Sequence, residues 1–447
     1  MNLTRRAGLF SGAALTAGSL IPGRVLGANE KLNCGIIGAG GMGRMCVGAC
    51  GHQNIVAFAD VDDTRAAPSY EKYPNVPRYR DFREMLDKHY KELDVVLVST
   101  PDHTHFAATL AAMERGLHVF TQKPLTHDIW QARTLQKAAQ KYAVKNIMGN
   151  QGRCFDGIRQ IKEWIDAGLL GDVVEVEAWT VRPYPGWGTP TGPFPRPPQP
   201  VPETLDWENW QGPVPHRDYN ECYLPNKWRA WWDYGNSAMG DIGCHLLDSV
   251  YWACDLTGPV SVKAEAKIFH DQVTGPKGIV QFNYPARGKH VPLTVKWYEG
   301  GLKPERPEDF DYGSELPNEG ILIKGTKRTI YHPGIRAENP VILMSRKDWY
   351  SFRKTELPEP TIPRLKSKSP VTELFNAIKG GPKVGSDFDY AAPLTELCCL
   401  GGIARRTGKQ CDWDPESMTF RDASLNRYVK QPVRKGWDVG VDLWKKA

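Results

Sequence analysis

The stretch Cys34 to Gly43, CGIIGAGGMG, restricts the fold of this chain more than any other. An apolar run enters a glycine turn in which Gly38, Gly40 and Gly43 keep a G-x-G-x-x-G spacing. Each glycine has a physical reason. The first permits a tight turn out of a strand, the second lets the backbone approach a pyrophosphate, and the third lets the following helix pack closely on the sheet. Gly41 and Met42, inside the turn, belong to the same binding edge. Asn54 to Asp60 reads as a second strand ending in an acid, 22 positions after Gly38. At that spacing a carboxylate grips a ribose 2′-hydroxyl and repels a 2′-phosphate, so NAD is favoured over NADP. Arg65 stands near enough in sequence to soften that preference.

Strands and helices alternate from residue 33 to about 148. Asp94 to Ser99 holds VVLV, continuously apolar and β-branched, as a strand buried on both faces should be. Helices are expected around 82–90, from about His105 to Gly116, and over 129–142, with strands at 118–121 and 146–148. This element order predicts a doubly wound parallel sheet. Beyond a helix near 158–168 the period changes to two, over 173–181, 260–269, 278–284, 291–298 and 320–324, as in antiparallel strands. A proline-rich insertion, 182–236, carries Trp187, Trp207, Trp210, Trp228, Trp231 and Trp232. Loops of this length are uncommon unless they serve a function. Helices are expected at 371–378 and 390–406. The division is a leader at 1–28, a dinucleotide-binding domain at 29–150 and an α+β domain at 151–447.

Thr4-Arg5-Arg6, an uncharged stretch to Ile21 and small residues at Gly27-Ala28 have the plan of an export signal of the twin-arginine type. The expected location is therefore the periplasm. No other stretch is apolar enough to span a bilayer. The formal charge of +6 falls to about +3 once the leader is removed, and no basic run or stripe indicates nucleic acid. The ten cysteines include no C-x-x-C pair and are expected mainly as buried thiols.

Polar residues fall where the parallel strands end, which is where such sheets bind ligands. Ser99, Thr100, Pro101 and His105 follow the fourth strand, Gln122-Lys123-Pro124 the fifth, and Asn150, Gln151 and Arg153 the sixth. A lysine beside a nicotinamide suits proton transfer, although a lysine capping a turn occupies such a place equally well. Asp241 and His245, four apart, would share one helix face and converge on a sugar hydroxyl. The same spacing suits zinc, but no third ligand stands nearby and no metal site is expected.

Taken together, GIIGAGGMG, Asp60, STPDHTH (99–105), QKP (122–124), GNQGR (149–153) and GDIGCH (240–245) resemble the Gfo/Idh/MocA family of sugar and inositol oxidoreductases. The resemblance spans nearly all of the chain after the leader. It implies a Rossmann domain followed by an α+β domain with a large open, mainly antiparallel sheet, and a nicotinamide cofactor between them. It implies Lys123 near the nicotinamide, and Asp241 and His245 at the substrate. By the same reading Ser99, Thr100, Pro101, His105 and Lys123 join the cofactor site, and Asn150, Arg153 and Trp231 the sugar site, where tryptophan would stack on the sugar or pack between domains. One departure stands out: the family usually has glutamate where this chain has Gln122.

The expected reaction is NAD-dependent oxidation of a sugar or glycoside hydroxyl. Export suggests a tightly bound cofactor recycled within each turnover. That is met by an oxidoreductase with a second acceptor, or by a glycosidase that oxidises, eliminates, adds water and returns the hydride. A non-catalytic sugar-binding protein is the remaining reading. The expected partners are a carbohydrate and further copies of the chain, as a dimer or tetramer.

Overall fold

The computed structural model describes residues 30–189, 194–266 and 269–445; the expected leader, 1–28, lies outside them. The first sheet is built from β1 (Asn33–Ile37), β2 (Asn54–Ala59), β3 (Arg78–Tyr79), β4 (Val95–Val98), β5 (His118–Thr121) and β6 (Asn146–Met148), all parallel, in the order β3-β2-β1-β4-β5-β6. Helices α1 (Gly43–Ala49), α2 (Asp63–Lys72), α3 (Phe82–His89), α4 (Asp102–Glu114) and α5 (Ile129–Tyr142) connect the strands. The chain is the doubly wound fold read from its sequence, with two differences. The two-residue edge strand β3 is too short to give a periodic signal. Helix α4 begins at Asp102, so His105 lies in its first turn. Along β4, Val95 and Leu97 enter one core while Val96 and Val98 enter the other, and all four are fully buried. That explains the unbroken apolar run.

The second region starts with α6 (Asp156–Asp166) and β7 (Val173–Trp179), and includes α7 (Trp207–Gln211) within the insertion and α8 (Cys244–Ala253) after it. Its sheet adds β8 (Ser261–Glu265), β9 (Gly278–Tyr284), β10 (Leu293–Glu299), β11 (Gly320–Gly325), β12 (Thr329–Pro333), β13 (Val341–Ile342), β14 (Cys411–Asp414) and β15 (Thr419–Phe420). The nine strands run in the order β13-β12-β11-β7-β10-β9-β8-β14-β15. Pairing is antiparallel except between β7 and β10, which are parallel. On β9, Val280, Phe282 and Tyr284 are buried while Ile279, Gln281 and Asn283 stay half-exposed. The half-exposed face carries a charge ladder in which Glu175 meets Lys296 at 2.6 Å and Lys324 at 3.0 Å.

Helices α9 (Arg346–Thr355), α10 (Pro370–Ile378) and α11 (Phe388–Thr407) complete the chain. Sequence order places α10 in the second region, but packing places it in the first. Val371, Leu374 and Phe375 share one apolar core with Cys34, Ile36, Phe58, Leu97 and Phe120. The first domain is therefore closed by residues far along the chain.

Candidate active site

The glycine turn is a cradle that side chains would fill. Gly38 has φ of +84°, and a Cβ there would meet the Ser99 backbone at 2.8 Å. A Cβ on Gly43 would lie 1.8 Å from the Gly38 carbonyl oxygen, and one on Gly40 would lie 2.8 Å from the Arg65 carbonyl oxygen. Beside the turn opens a cleft of about 990 Å³ of empty space, counting its mouth. Gly38, Gly40, Gly41, Met42, Asp60, Ser99, Thr100 and Pro101 all line it. This extended cradle at a helix start fits the pyrophosphate arm of a dinucleotide.

Asp60 does more than the ribose contact expected of it. Its Oδ2 accepts from the Ala39 amide at 2.7 Å and the Gly40 amide at 3.0 Å, and its Oδ1 accepts from the Asp62 amide at 3.0 Å. The carboxylate therefore holds the turn in shape while it lines the cleft, and burial pushes its pKa up. His105 does not line the cleft. Its ring nitrogens lie 2.8 Å from the carbonyls of Pro124 and Thr100, so it ties together the loops after β4 and β5.

The opposite wall of the cleft was not legible from motifs. It comes from the insertion: Asn209, Trp210, Leu224, Pro225, Asn226, Trp228 and Arg229. The insertion has its own aromatic core. Trp207 stacks on Trp210 at 4.9 Å and on Tyr223 at 5.7 Å, with Tyr234 packed edge-on. Backbone bonds stitch it to the first domain, from Asp206 to Val61 at 2.8 Å and from Asp63 to Thr204 at 3.0 Å. His103 meets the Trp210 carbonyl at 2.8 Å. Trp231 belongs to this core. It is 1% exposed, sits 4.7 Å from the Tyr223 ring and donates its Nε1–H to the Cys222 carbonyl. It has no face left for a sugar, which corrects the stacking role expected of it.

A second cluster forms where β5 and β6 end. Lys123 does not line the cofactor cleft; its Nζ donates to the Asp241 carboxylate and to the Asp241 carbonyl, each at 2.7 Å. From the insertion, the Arg229 Nε reaches the same carboxylate oxygen at 3.2 Å. Burial alone would raise the pKa of Asp241, but Lys123 and Arg229 hold it well below the usual carboxylate range. Gln122, in the place of the family's glutamate, lies against Gly149 instead of Lys123, its Oε1 2.9 Å from where a Cβ on that glycine would sit.

Asp241 does not share a plain α-helical face with His245. It lies in a π-helical turn, Met239–Gly243, that runs into α8 and redirects the aspartate to Lys123 and Arg229. Such turns recur at functional sites. His245 meets Asn150 instead, its Nδ1 2.9 Å from Oδ1. The Nδ2 of Asn150 donates to the Cys244 carbonyl at 2.8 Å, which leaves its oxygen facing the imidazole. An oxygen can only accept, so the proton resides on Nδ1 and the Nε2 lone pair is free. Burial, and then Lys123 and Arg336, push the His245 pKa well below 6.5. The ring is a neutral base.

Asn150 is thus spent on His245 and has no free amide for a sugar. Arg153 is likewise withdrawn, its guanidinium stacked 3.7 Å from the Trp252 ring and 4.3 Å from the Tyr390 ring, with Nε donating to the Gly385 carbonyl.

Comparison with known proteins accounts for both halves. Residues 32–150 match the Gfo/Idh/MocA model described as an oxidoreductase family with an NAD-binding Rossmann fold, and residues 156–295 match its C-terminal alpha/beta domain. The chain belongs to the Gfo/Idh/MocA family of oxidoreductases. Over 150 residues it is 30% identical to the rhizopine catabolism protein MocA of Rhizobium meliloti, covering 33% of this chain and 47% of that protein. Over 269 residues it is 27% identical to an inositol 2-dehydrogenase of Salmonella paratyphi B, covering 56% of this chain and 73% of that protein. The chain thus spans about half the length of the first relative and almost three quarters of the second. Among solved structures, WlbA dehydrogenase from Bordetella pertussis, determined with NADH and UDP-GlcNAcA, has the same fold, with a TM-score of 0.59 at 16% identity over 86% of this chain and 99% of that one.

Proposed function

We propose that this protein oxidises a carbohydrate hydroxyl with a nicotinamide cofactor that stays bound between turnovers. The observation that carries this reading is the neutral His245, held with its Nε2 free, beside the Lys123–Asp241 pair in a family member with an NAD cradle. When bound, NAD supplies the hydride acceptor. The residues of the chain do the rest. The Nε2 of His245 takes the hydroxyl proton. The Lys123 ammonium, aimed by Asp241, steadies the negative charge that develops on the oxygen. Arg229 touches both the cofactor cleft and Asp241, and so couples the insertion to the reacting end. The inositol 2-dehydrogenase relative is consistent with a polyol or sugar hydroxyl.

Retention of the cofactor is supported by the second wall of the cleft, which is a packed element stitched to the first domain. The export signal proposed at Arg5-Arg6 gives retention a purpose, because a protein loaded before transport must restore its own cofactor. The test is the absorbance and mass of whatever co-purifies, followed by incubation with sugars and a chromogenic glycoside. A change at the nicotinamide with the glycosidic bond intact supports the oxidoreductase. Release of the chromophore without net redox change would replace it with the glycosidase reading. Lys123→Met should keep the cofactor and lose at least about 10²-fold in turnover; near-full activity would reject the assignment.

A further inference from the structure

The charges around His245 do not balance. Besides Lys123, two arginines lie close enough to depress its pKa: Arg336, in the loop after β12, and Arg182, at the start of the insertion. Arg229 is a fourth cation, on the same Asp241 oxygen as Lys123. Two carboxylates answer three of the four. Asp241 is shared by Lys123 and Arg229, and Arg182 is paired with Glu319. Asp102 acts on the same group, but burial pushes its pKa up to about 7, so it is only partly ionised at neutral pH.

Arg336 stands apart from the other three. Its aliphatic stem crosses the Gly152 turn, its Cγ 3.7 Å from where a Cβ on Gly152 would lie. Its Nε is buried and has no hydrogen-bond partner, and among the described residues no carboxylate pairs with its guanidinium. A buried donor on a charged group without an acceptor is costly. Such an arrangement persists where an acceptor arrives with a ligand. A guanidinium is also the group best shaped to take a carboxylate or phosphate with two parallel bonds.

We infer that the substrate is an anionic sugar, with its negative group on Arg336 and its reacting hydroxyl on His245. The inference rests on the carbohydrate oxidoreductase reading and narrows it to acidic sugars. The shared chemistry is an oxyanion on a pyranose or related ring, which a uronate carboxylate or a sugar phosphate supplies. A neutral sugar would leave the Arg336 donor unmet and the surplus positive charge unanswered, so discrimination against it is built into the site.

The test is calorimetric titration of the nicotinamide-loaded protein with methyl glucuronide, glucose 6-phosphate and neutral methyl glucoside. At least one anionic sugar should bind about 10- to 100-fold more tightly than the glucoside, the range set by a hydrogen bond to a charged group. Which one wins separates a carboxylate from a phosphate. Arg336→Gln should remove most of that preference, with glucoside binding no weaker than before, and leave nicotinamide content unchanged, which shows that the variant is folded. Equal affinity for anionic and neutral sugars, failure of all three to bind, or a preference that survives Arg336→Gln would overturn the inference. The parent reading fails separately, if the purified protein neither contains nor binds a nicotinamide.

Discussion

Asn150 carries the sharpest prediction, because one amide sets the protonation of the base. Asn150 is fully buried. Its Oδ1 accepts from His245 Nδ1 at 2.9 Å, and its Nδ2 donates to the Cys244 carbonyl at 2.8 Å. Asn150→Leu removes both bonds and leaves the buried Nδ1–H of His245 without an acceptor, while the Cys244 carbonyl keeps its helical bond within α8. A loss of about 1–3 kcal/mol in stability is expected. The imidazole is also freed to carry its proton on Nε2, where it cannot act as a base, and kcat should fall by about 10²-fold with KM little changed. Asn150→Asp separates positioning from packing. A carboxylate still accepts from Nδ1–H, so the tautomer is kept, and its charge raises the proton affinity of the ring. The acid limb of the kcat/KM profile should move to higher pH while much of the activity returns. Nitrogen-15 spectra of the histidine rings read the tautomer directly and need no substrate. A wild-type His245 with an unprotonated Nδ1 at neutral pH would refute the argument, as would equal losses in the two variants with an unmoved acid limb.

Two further outcomes concern stability. Burial lowers the pKa of His118, His127 and His332 from 6.5 to about 4, and pushes that of His245 well below 6.5 as well. Below pH 6.5 the unfolded chain therefore takes up protons that the folded chain refuses, and stability falls by ~1.4 kcal/mol per pH unit for each histidine. Asp102 and Asp128, raised by burial to about 7, act in the opposite sense from pH 7 down to about 4, and burial pushes Asp60 and Asp248 the same way. His103 and His105 stay out of the sum: burial opposes their protonation, but both ring nitrogens of each face carbonyl oxygens, which suits the charged form. Replacing one of these histidines, His332→Phe, should remove ~1.4 kcal/mol per unit of that fall between pH 6.5 and 4, and denaturant midpoints with an unchanged pH slope would contradict it. Arg405 meets Glu299 at 2.6 Å with both side chains out of solvent, and Trp297 Nε1 donates to the same carboxylate at 3.0 Å. Arg405→Met strands that carboxylate and should cost about 3–5 kcal/mol; a shift in the melting midpoint of under a degree would show the pair to be dispensable.

Local chemistry made the first domain legible. A glycine turn, a doubly buried VVLV strand and an i, i+3, i+4 helix each write their constraint into adjacent residues, and β1, β5, β6 and α5 fall where the sequence puts them. The chemical pair was also legible in part, since Lys123 and Asp241 do meet. Less legible were facts that depend on distant partners. Nothing near Asp241 announces that a π-helical turn sends its carboxylate to Lys123 and Arg229. Nothing near Trp231 distinguishes a sugar platform from the centre of an aromatic core. Arg229 and Arg336 lie outside any motif, in an insertion and a loop, and acquire meaning only from where the fold delivers them. The proline and tryptophan content of 182–236 marked that segment as functional, but not as the second wall of the cofactor cleft.

The closing of the first core by α10 has a consequence for synthesis. The sheet face bearing Cys34, Ile36, Phe58, Leu97 and Phe120 needs Val371, Leu374 and Phe375 to cover it. Translation delivers the roughly 220 intervening residues at about 5–20 residues per second, so that face waits on the order of 10–40 s for its cover. During that time the nascent nucleotide-binding domain offers chaperones an apolar surface, and it cannot become a finished binding unit early. A fully packed first domain therefore exists only after α10 has left the ribosome, late in synthesis.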